Sequence, residues 1–334
     1  MKASKLKQSL ISLIDSKIPT FVWGNPGVGK SSLIRQIAES KDMKFIDLRL
    51  SLLDPTDLRG IPFFEADTKK AVWAKPEFLP DTSSDDYGIL FLDEINSAPP
   101  TIQAAAYQLI LDRKIGEYTL PKNYAIIAAG NYESDRGVTY RMPTPLANRF
   151  IHLDFDLDFD EWKSWAYDTN IDSKIISFLA YKPQNLFTFD AKSKEKSFAT
   201  PRSWSFVNDV LKSSLDISLL EEVISGAIGK DSAIEFINYC KVMKDLPNIE
   251  EIINGTLKVI PENNSVLYAL CTGLTYALKK SESVETVTNI LEYSLELPNE
   301  FSVMLVRDLQ KEGINVEAST SWKTWSDANK FLIG

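Results

Sequence analysis

Two cysteines and one histidine are all that 334 residues contain of the side chains that most often hold soft metals. A single histidine excludes a multi-histidine zinc site by arithmetic. It leaves any Ser–His–Asp arrangement to rest on His152 alone, with no nucleophile motif beside it. Cys240 and Cys271 lie far apart on apolar, helix-patterned stretches. That predicts buried free thiols rather than a disulfide framework, and suits a reducing cytoplasm. An excess of positive charge is missing too: 37 Lys and Arg stand against 46 Asp and Glu, for a net charge of -9. This removes the electrostatic case for a chain that coats nucleic acid, although a local basic channel is compatible with an acidic whole. No apolar run reaches the length of a membrane span. Met1 to Lys17 carries Leu6, Leu10, Leu13 and Ile14 at helical spacing broken by charges, which reads as a helix and not a signal peptide. What remains is an ordinary globular composition, 44% hydrophobic and 25% charged, long enough for two or three domains.

Against that background one stretch stands out. Phe21-Val22-Trp23 is an apolar run of the kind a buried strand needs. It is followed by Gly24-Asn25-Pro26-Gly27-Val28-Gly29-Lys30-Ser31-Ser32 and then by the amphipathic run Leu33 to Ile37. The spacing is G-x-x-x-x-G-K-[ST] between a strand and a helix, the pattern of a phosphate-binding loop. Glycines let the backbone wrap a polyphosphate so that main-chain N–H groups face its oxygens, and the helix start adds the positive end of its dipole. Lys30 would reach the β- and γ-phosphates, and the Ser31 hydroxyl would ligate Mg²⁺. A nucleoside triphosphate is the implied ligand.

Further along, Gly88 to Leu92 is an apolar strand that delivers Asp93 and Glu94 to the rim of a sheet. Asp93 would hold Mg²⁺ and Glu94 would orient or deprotonate an attacking water. The adjacent acidic pair favours hydrolysis over transfer to a second substrate. Phe45 to Leu50 reads as another strand, Ser51 to Pro62 as a short helix stopped by Gly60 and Pro62, and Phe63 to Pro80 as two extended pieces around a polar tract. A helix is expected over Ala98 to Lys114, a hairpin over Lys114 to Lys122 turning at Gly116-Glu117, and a buried strand from Tyr124 to Asn131. Asn131 is placed either to position water and sense the γ-phosphate or simply to cap its strand. Met142 to Phe150 reads as a short helix that delivers Arg149 just before the strand Phe150 to Phe155. Arg149 could stabilise phosphoryl charge in a neighbouring subunit's site or form a surface ion pair, with Asp154 the nearest carboxylate in sequence. Arg136 and Arg141 are weaker candidates for the same role.

Beyond Phe155 the strand rhythm stops. Helices are expected at Asp160 to Thr169 and Ser173 to Tyr181, and another opens at Thr200-Pro201-Arg202, capped by Thr200. Arg202 would sit where a helix dipole disfavours a cation, so it points either to a phosphate partner or to solvent. Further helices are expected at Ile217 to Ala227, Ser232 to Met243, Ser265 to Lys279, Val284 to Leu295 and Glu300 to Glu312, with Trp322 and Trp325 packing against them.

Taken in order, phosphate loop, Asp-Glu strand, Asn-ended strand, arginine before a strand, and Pro-Arg opening a helix, these residues resemble the AAA+ ATPases. Within them they are similar to the MoxR branch of the helix-2-insert clade, alongside the CbbQ, NorQ and GvpN proteins. The resemblance covers roughly residues 18–213. Asp57-Leu58-Arg59-Gly60 and the tract to Pro80 match the helix-2 insert (about 61–80), and Lys114 to Lys122 the hairpin before sensor 1 (about 114–122). It implies an α/β P-loop core with a parallel sheet over 1–156, an all-helical lid over 157–213, and additional helices over 214–334 whose role it does not assign. It implies Gly24 to Ser31 as Walker A, Asp93 and Glu94 as Walker B, Asn131 as sensor 1, Arg149 as a trans-acting arginine finger and Arg202 as sensor 2. It also implies a hexameric ring with hairpins facing its pore, and a partner bearing a von Willebrand factor A domain. The expected function is an ATP-driven, chaperone-like remodeller of a protein client, with ATP and Mg²⁺ as cofactors. A nucleic-acid motor and a nucleotide-gated binding module with slow hydrolysis are the competing readings.

Overall fold

The computed structural model describes every residue except 68, 84, 136–139, 217–218, 281 and 334. Packing divides the chain into two units, residues 1–158 with 190–193, and residues 159–189 with 194–334.

In chain order the strands of the first unit are β1 (Thr20–Trp23), β2 (Lys44–Arg49), the hairpin β3 (Ile61–Glu65) and β4 (Lys70–Ala74), β5 (Gly88–Asp93), a second hairpin β6 (Lys114–Ile115) and β7 (Tyr118–Thr119), β8 (Tyr124–Gly130) and β9 (Ile151–Asp154). Its helices are α1 (Ala3–Asp15), α2 (Lys30–Ser40), α3 (Pro55–Arg59), α4 (Pro100–Asp112) and α5 (Thr144–Ala147). Five strands form one sheet in the order β2-β5-β8-β1-β9, and every pairing in it is parallel. Burial explains the order. All seven residues of β8 are buried, as are the first five of β5, so these apolar runs occupy the middle. The mixed strand β9 closes an edge, with Ile151 and His152 exposed. Gly88 is required where β5 meets β8, because a Cβ there would lie 2.1 Å from the Tyr124 ring.

The helix expected over Ser51 to Pro62 is two shorter pieces. A 3-10 turn covers Leu50–Leu52, and α3 starts afresh at Pro55, where Asp54 and Asp57 cap each other's backbone N–H. The hairpin β6–β7 turns at Gly116-Glu117 as anticipated. It is held at its base by Arg113, which donates to the carbonyls of Pro121 and Tyr124 at 2.6 Å each.

Among its described residues the second unit has helices and no strand: α6 (Phe159–Asp168), α7 (Ser173–Tyr181), α8 (Pro201–Lys212), α9 (Leu220–Ile228), α10 (Lys230–Val242), α11 (Ile249–Ile253), α12 (Asn264–Lys280), α13 (Val284–Ser294), α14 (Asn299–Lys311) and α15 (Trp322–Ile333). Thr200 and Ser203 form the capping box that starts α8. Sequence reading missed α11 and α15. Trp322 and Trp325 stack at 5.5 Å, and the fully buried Trp325 donates to Ser302 at 2.8 Å, so this pair belongs to the core. Cys240 and Cys271 are free thiols, and burial pushes Cys240 up to about 11.

Candidate functional site

The register aligns the carboxyl ends of the central strands. Trp23 of β1 lies opposite Gly130 of β8, and Leu92 of β5 opposite Ala128. The residues that follow each strand therefore emerge along one rim: the loop from Gly24, the pair Asp93-Glu94, and Asn131. In a parallel sheet flanked by helices, this rim is where ligands bind.

The loop is built for close approach. Gly27 and Gly29 have φ of +76° and +104°, values a side chain rarely adopts. Nothing lies within 4 Å of a Cβ placed on Gly29, so its glycine serves the backbone turn and leaves the space beside it open. Between Gly24 and the start of α2, Asn25, Pro26 and Gly27 are half-buried and Val28 is buried. Leu33 is the first residue of α2 whose N–H finds a helical partner outside the helix, Gly29 O at 2.9 Å. The N–H groups of Lys30, Ser31 and Ser32 therefore begin the helix without intrahelical partners, and no acidic side chain sits in that first turn.

Side chains converge on this loop. The buried Lys30 ammonium donates to Gly24 O at 2.6 Å, Asn25 O at 3.1 Å and Asn131 Oδ1 at 2.8 Å. The Ser31 hydroxyl donates to Asp93 Oδ2 at 2.9 Å. Burial pushes the Asp93 carboxyl up from its ordinary value; the Ser31 hydrogen bond opposes this, while Asp47 and Glu94 add to it. Glu94 turns into the left-handed region at φ 57°, and its Oε2 accepts from Ser51 Oγ at 2.5 Å.

A hydroxyl and a carboxylate are hard oxygen donors of the kind Mg²⁺ prefers. Among the described residues no three His, Cys, Asp or Glu side chains come together to hold a metal. The donor set thus fits an ion that completes its shell with phosphate oxygens and water, the way Mg²⁺ binds beside a nucleotide.

The arginines are the remaining candidates. Arg149 follows α5, is exposed, and makes no side-chain hydrogen bond or ion pair among the described residues. Asp154, its nearest carboxylate in sequence, accepts instead from Tyr132 OH at 3.1 Å. Arg141 is exposed as well, and Arg136 lies outside the described residues. Arg202 belongs to the helical unit, exposed in the first turn of α8. His152 is engaged at both ring nitrogens, Nδ1 accepting from Trp23 Nε1 at 2.9 Å and Nε2 facing Ala147 O at 2.8 Å.

Two polar residues of the rim escaped sequence reading. Ser51 reaches Glu94 because β2 and β5 are neighbours, which no spacing in the chain discloses. Asn96 is fully buried and donates to Asn131 O at 2.7 Å. A polar residue two places after an Asp-Glu pair was the only available signal.

The model of the ATPase family associated with various cellular activities (AAA) matches residues 20–152, all inside the first unit. Protein MoxR of Methylorubrum extorquens is 26% identical over 133 residues, 38% of this chain and 37% of MoxR. The match thus spans little more than a third of that curated relative's length. Among solved structures, NtrX from Brucella abortus in complex with ADP is 16% identical, with 93% of this chain and 68% of that chain covered at a TM-score of 0.40. The RuvB Holliday junction branch migration motor of Thermotoga maritima is 19% identical, with 75% and 74% covered at a TM-score of 0.40. Overlaps this loose bear no functional argument.

Proposed function

We propose that residues 20–152, which match the AAA family model, form an AAA module of the MoxR type, and that the chain binds ATP with Mg²⁺ and hydrolyses it as a homo-oligomeric ring, using the energy to remodel or activate a protein client. The observation that carries this reading is the meeting of Lys30, Ser31, Asp93, Glu94 and Asn131 at one sheet rim, around a loop with an uncapped helix start.

Each residue then has a chemical task. Phosphate oxygens are stronger partners for an ammonium than the carbonyls Lys30 now holds, so Lys30 is ready to exchange them for a β- or γ-phosphate. Backbone N–H groups from Gly27 to Ser32 cradle the same phosphates. Mg²⁺, when bound at Ser31 and Asp93, would neutralise charge on the β- and γ-phosphates. As a water oxygen bonds to the γ-phosphorus and the bridging P–O bond breaks to release ADP, Glu94, once it leaves Ser51, takes the water's proton, and Asn131 helps to orient that water. Arg149, exposed and without a partner among the described residues, serves the site of a neighbouring subunit, as an arginine finger worth on the order of 10³ to 10⁵ in rate. Arg202 answers the nucleotide from a lid formed by residues 157–213, with residues 214–334 as further helices. A ring of six, a chaperone-like action, and a partner with a von Willebrand factor A domain complete the proposal, and come from the likeness to MoxR. The free thiols fit a reducing cytoplasm, and among the described residues no helix is long and apolar enough to cross a membrane.

The test is ATPase activity per molecule across a wide range of protein concentration, with Arg149→Ala in parallel. Activity that rises with concentration and collapses by at least about 10³-fold in the variant means sites shared between subunits. Flat activity, indifferent to Arg149, would sink the ring.

A further inference from the structure

The turn after Glu94 contains a buried amide that the proposed chemistry does not use. Asn96 lies in the 3-10 turn Ile95–Ser97 and is 1% exposed. Its Nδ2 donates to the main-chain oxygen of Asn131 at 2.7 Å, the residue whose side chain holds Lys30 at 2.8 Å. Its own main-chain oxygen accepts from the N–H of Tyr140 at 2.6 Å, and from Tyr140 the chain runs to α5 and Arg149. Among the described residues its Oδ1 is buried with no hydrogen-bond partner, and a Cβ on Gly130 would fall 2.2 Å from that atom. The end of β8 is therefore a glycine because the amide, together with the Phe21 ring, occupies the space.

An unmade hydrogen bond in the interior is unfavourable, so filling space alone would be served at least as well by a leucine of similar size. The reversed amide would turn its oxygen onto Asn131 O, so the orientation is dictated by the one bond it makes. What the Asn96 side chain supplies that leucine cannot is a tie between the turn two residues after Glu94 and the end of β8 at Asn131; the bond from Tyr140 goes to its main-chain oxygen, which any residue there would keep.

We propose that Asn96 is a positioning residue, which couples the place of Asn131 beside Lys30 to the place of Glu94. The inference rests on the ATPase reading above. When a terminal phosphate enters between Lys30 and Asn131, the displacement of Asn131 is passed through Asn96 to the carboxylate turn. Hydrolysis is thus timed to an occupied site.

The test compares wild type with Asn96→Leu and Asn96→Asp, the second keeping the shape while facing an acceptor to Asn131 O. kcat and KM for ATP are measured alone and in combination with Asn131→Ala, and amide hydrogen exchange is followed over residues 124–135 and 140–149 without nucleotide. We expect kcat to fall by about tenfold to 10²-fold in both variants with KM within about twofold. The fall should not deepen when Asn131→Ala is added, and exchange should be faster over residues 124–135 but not over 140–149, whose bond from Tyr140 goes to a main-chain oxygen that both variants keep. A kcat kept within about twofold in Asn96→Leu, or losses that multiply with those of Asn131→Ala, would overturn the coupling. If the wild type hydrolyses no ATP, the ATPase reading fails separately. The exchange data then decide the tie alone, and unchanged exchange refutes it.

Discussion

At the scale of single residues, the rim is a set of polar groups already spoken for by one another. Lys30 is held by two carbonyls and an amide, Ser31 by Asp93, and Glu94 by Ser51. Such a site is preorganised, because each side chain is ordered before a ligand arrives and binding need not supply that order. It is also restrained, because the Glu94 oxygen that would take a proton is occupied by a hydroxyl. Glu94→Gln keeps the shape of the side chain and its contact with Ser51 but removes the base. Single-turnover hydrolysis should fall by about 10²- to 10⁴-fold, while ATP affinity, measured by equilibrium binding, stays within a few fold. Equal rates would take Glu94 out of the chemistry.

At the scale of elements, two neighbouring pieces of the first unit have opposite characters. Helix α3 buries Leu58 completely in the core formed under β5 and α4. The hairpin β3–β4 that follows leaves Ile61, Phe63 and Phe64 exposed at 69%, 50% and 70%. Gly60 joins them, at φ +85° and with a Cβ that would fall 1.9 Å from Ala74 O. Leu58→Ala should cost about 2–5 kcal/mol of stability and Phe64→Ala no more than about 0.5, as read by chemical denaturation. A large loss in Phe64→Ala would mean that the hairpin is covered in solution.

At the scale of the whole molecule, each unit has its own core. In the helical unit, helices from both sides of residue 213 interleave: Phe178 of α7 and Trp204 of α8 both lie 5.4 Å from Phe236 of α10. A buried ion pair adds to this, Lys163 of α6 to Asp308 of α14 at 2.5 Å, with side chains 8% and 11% exposed. The proposed division into a lid and further helices is therefore one of role, within a shared core. Asp308→Ala strands a buried ammonium and should destabilise this unit by about 3–5 kcal/mol, whereas Lys163→Met with Asp308→Leu should recover most of that loss. Calorimetry of the three chains checks it. A double variant as unstable as the single one would mean that the pair is favourable beyond its own desolvation.

Much of this was legible in the chain because it is local. The phosphate loop is nine consecutive residues in which Gly27 and Gly29 are demanded by φ, and the strands β5 and β8 announce themselves as unbroken apolar runs. Helix starts such as Thr200-Pro201 are decided by bonds spanning three residues. Lys30, Ser31, Asp93, Glu94 and Asn131 were all nameable from such local patterns. What the chain could not disclose is adjacency. That β2 lies beside β5, bringing Ser51 to Glu94, follows from how apolar runs of unequal burial sort into a sheet. That Asn96 is buried against Asn131, 35 residues away, follows from a glycine whose missing side chain makes room. Short-range pattern determined which groups this protein presents. Only tertiary packing, which weighs burial across the whole chain at once, decided which of them touch.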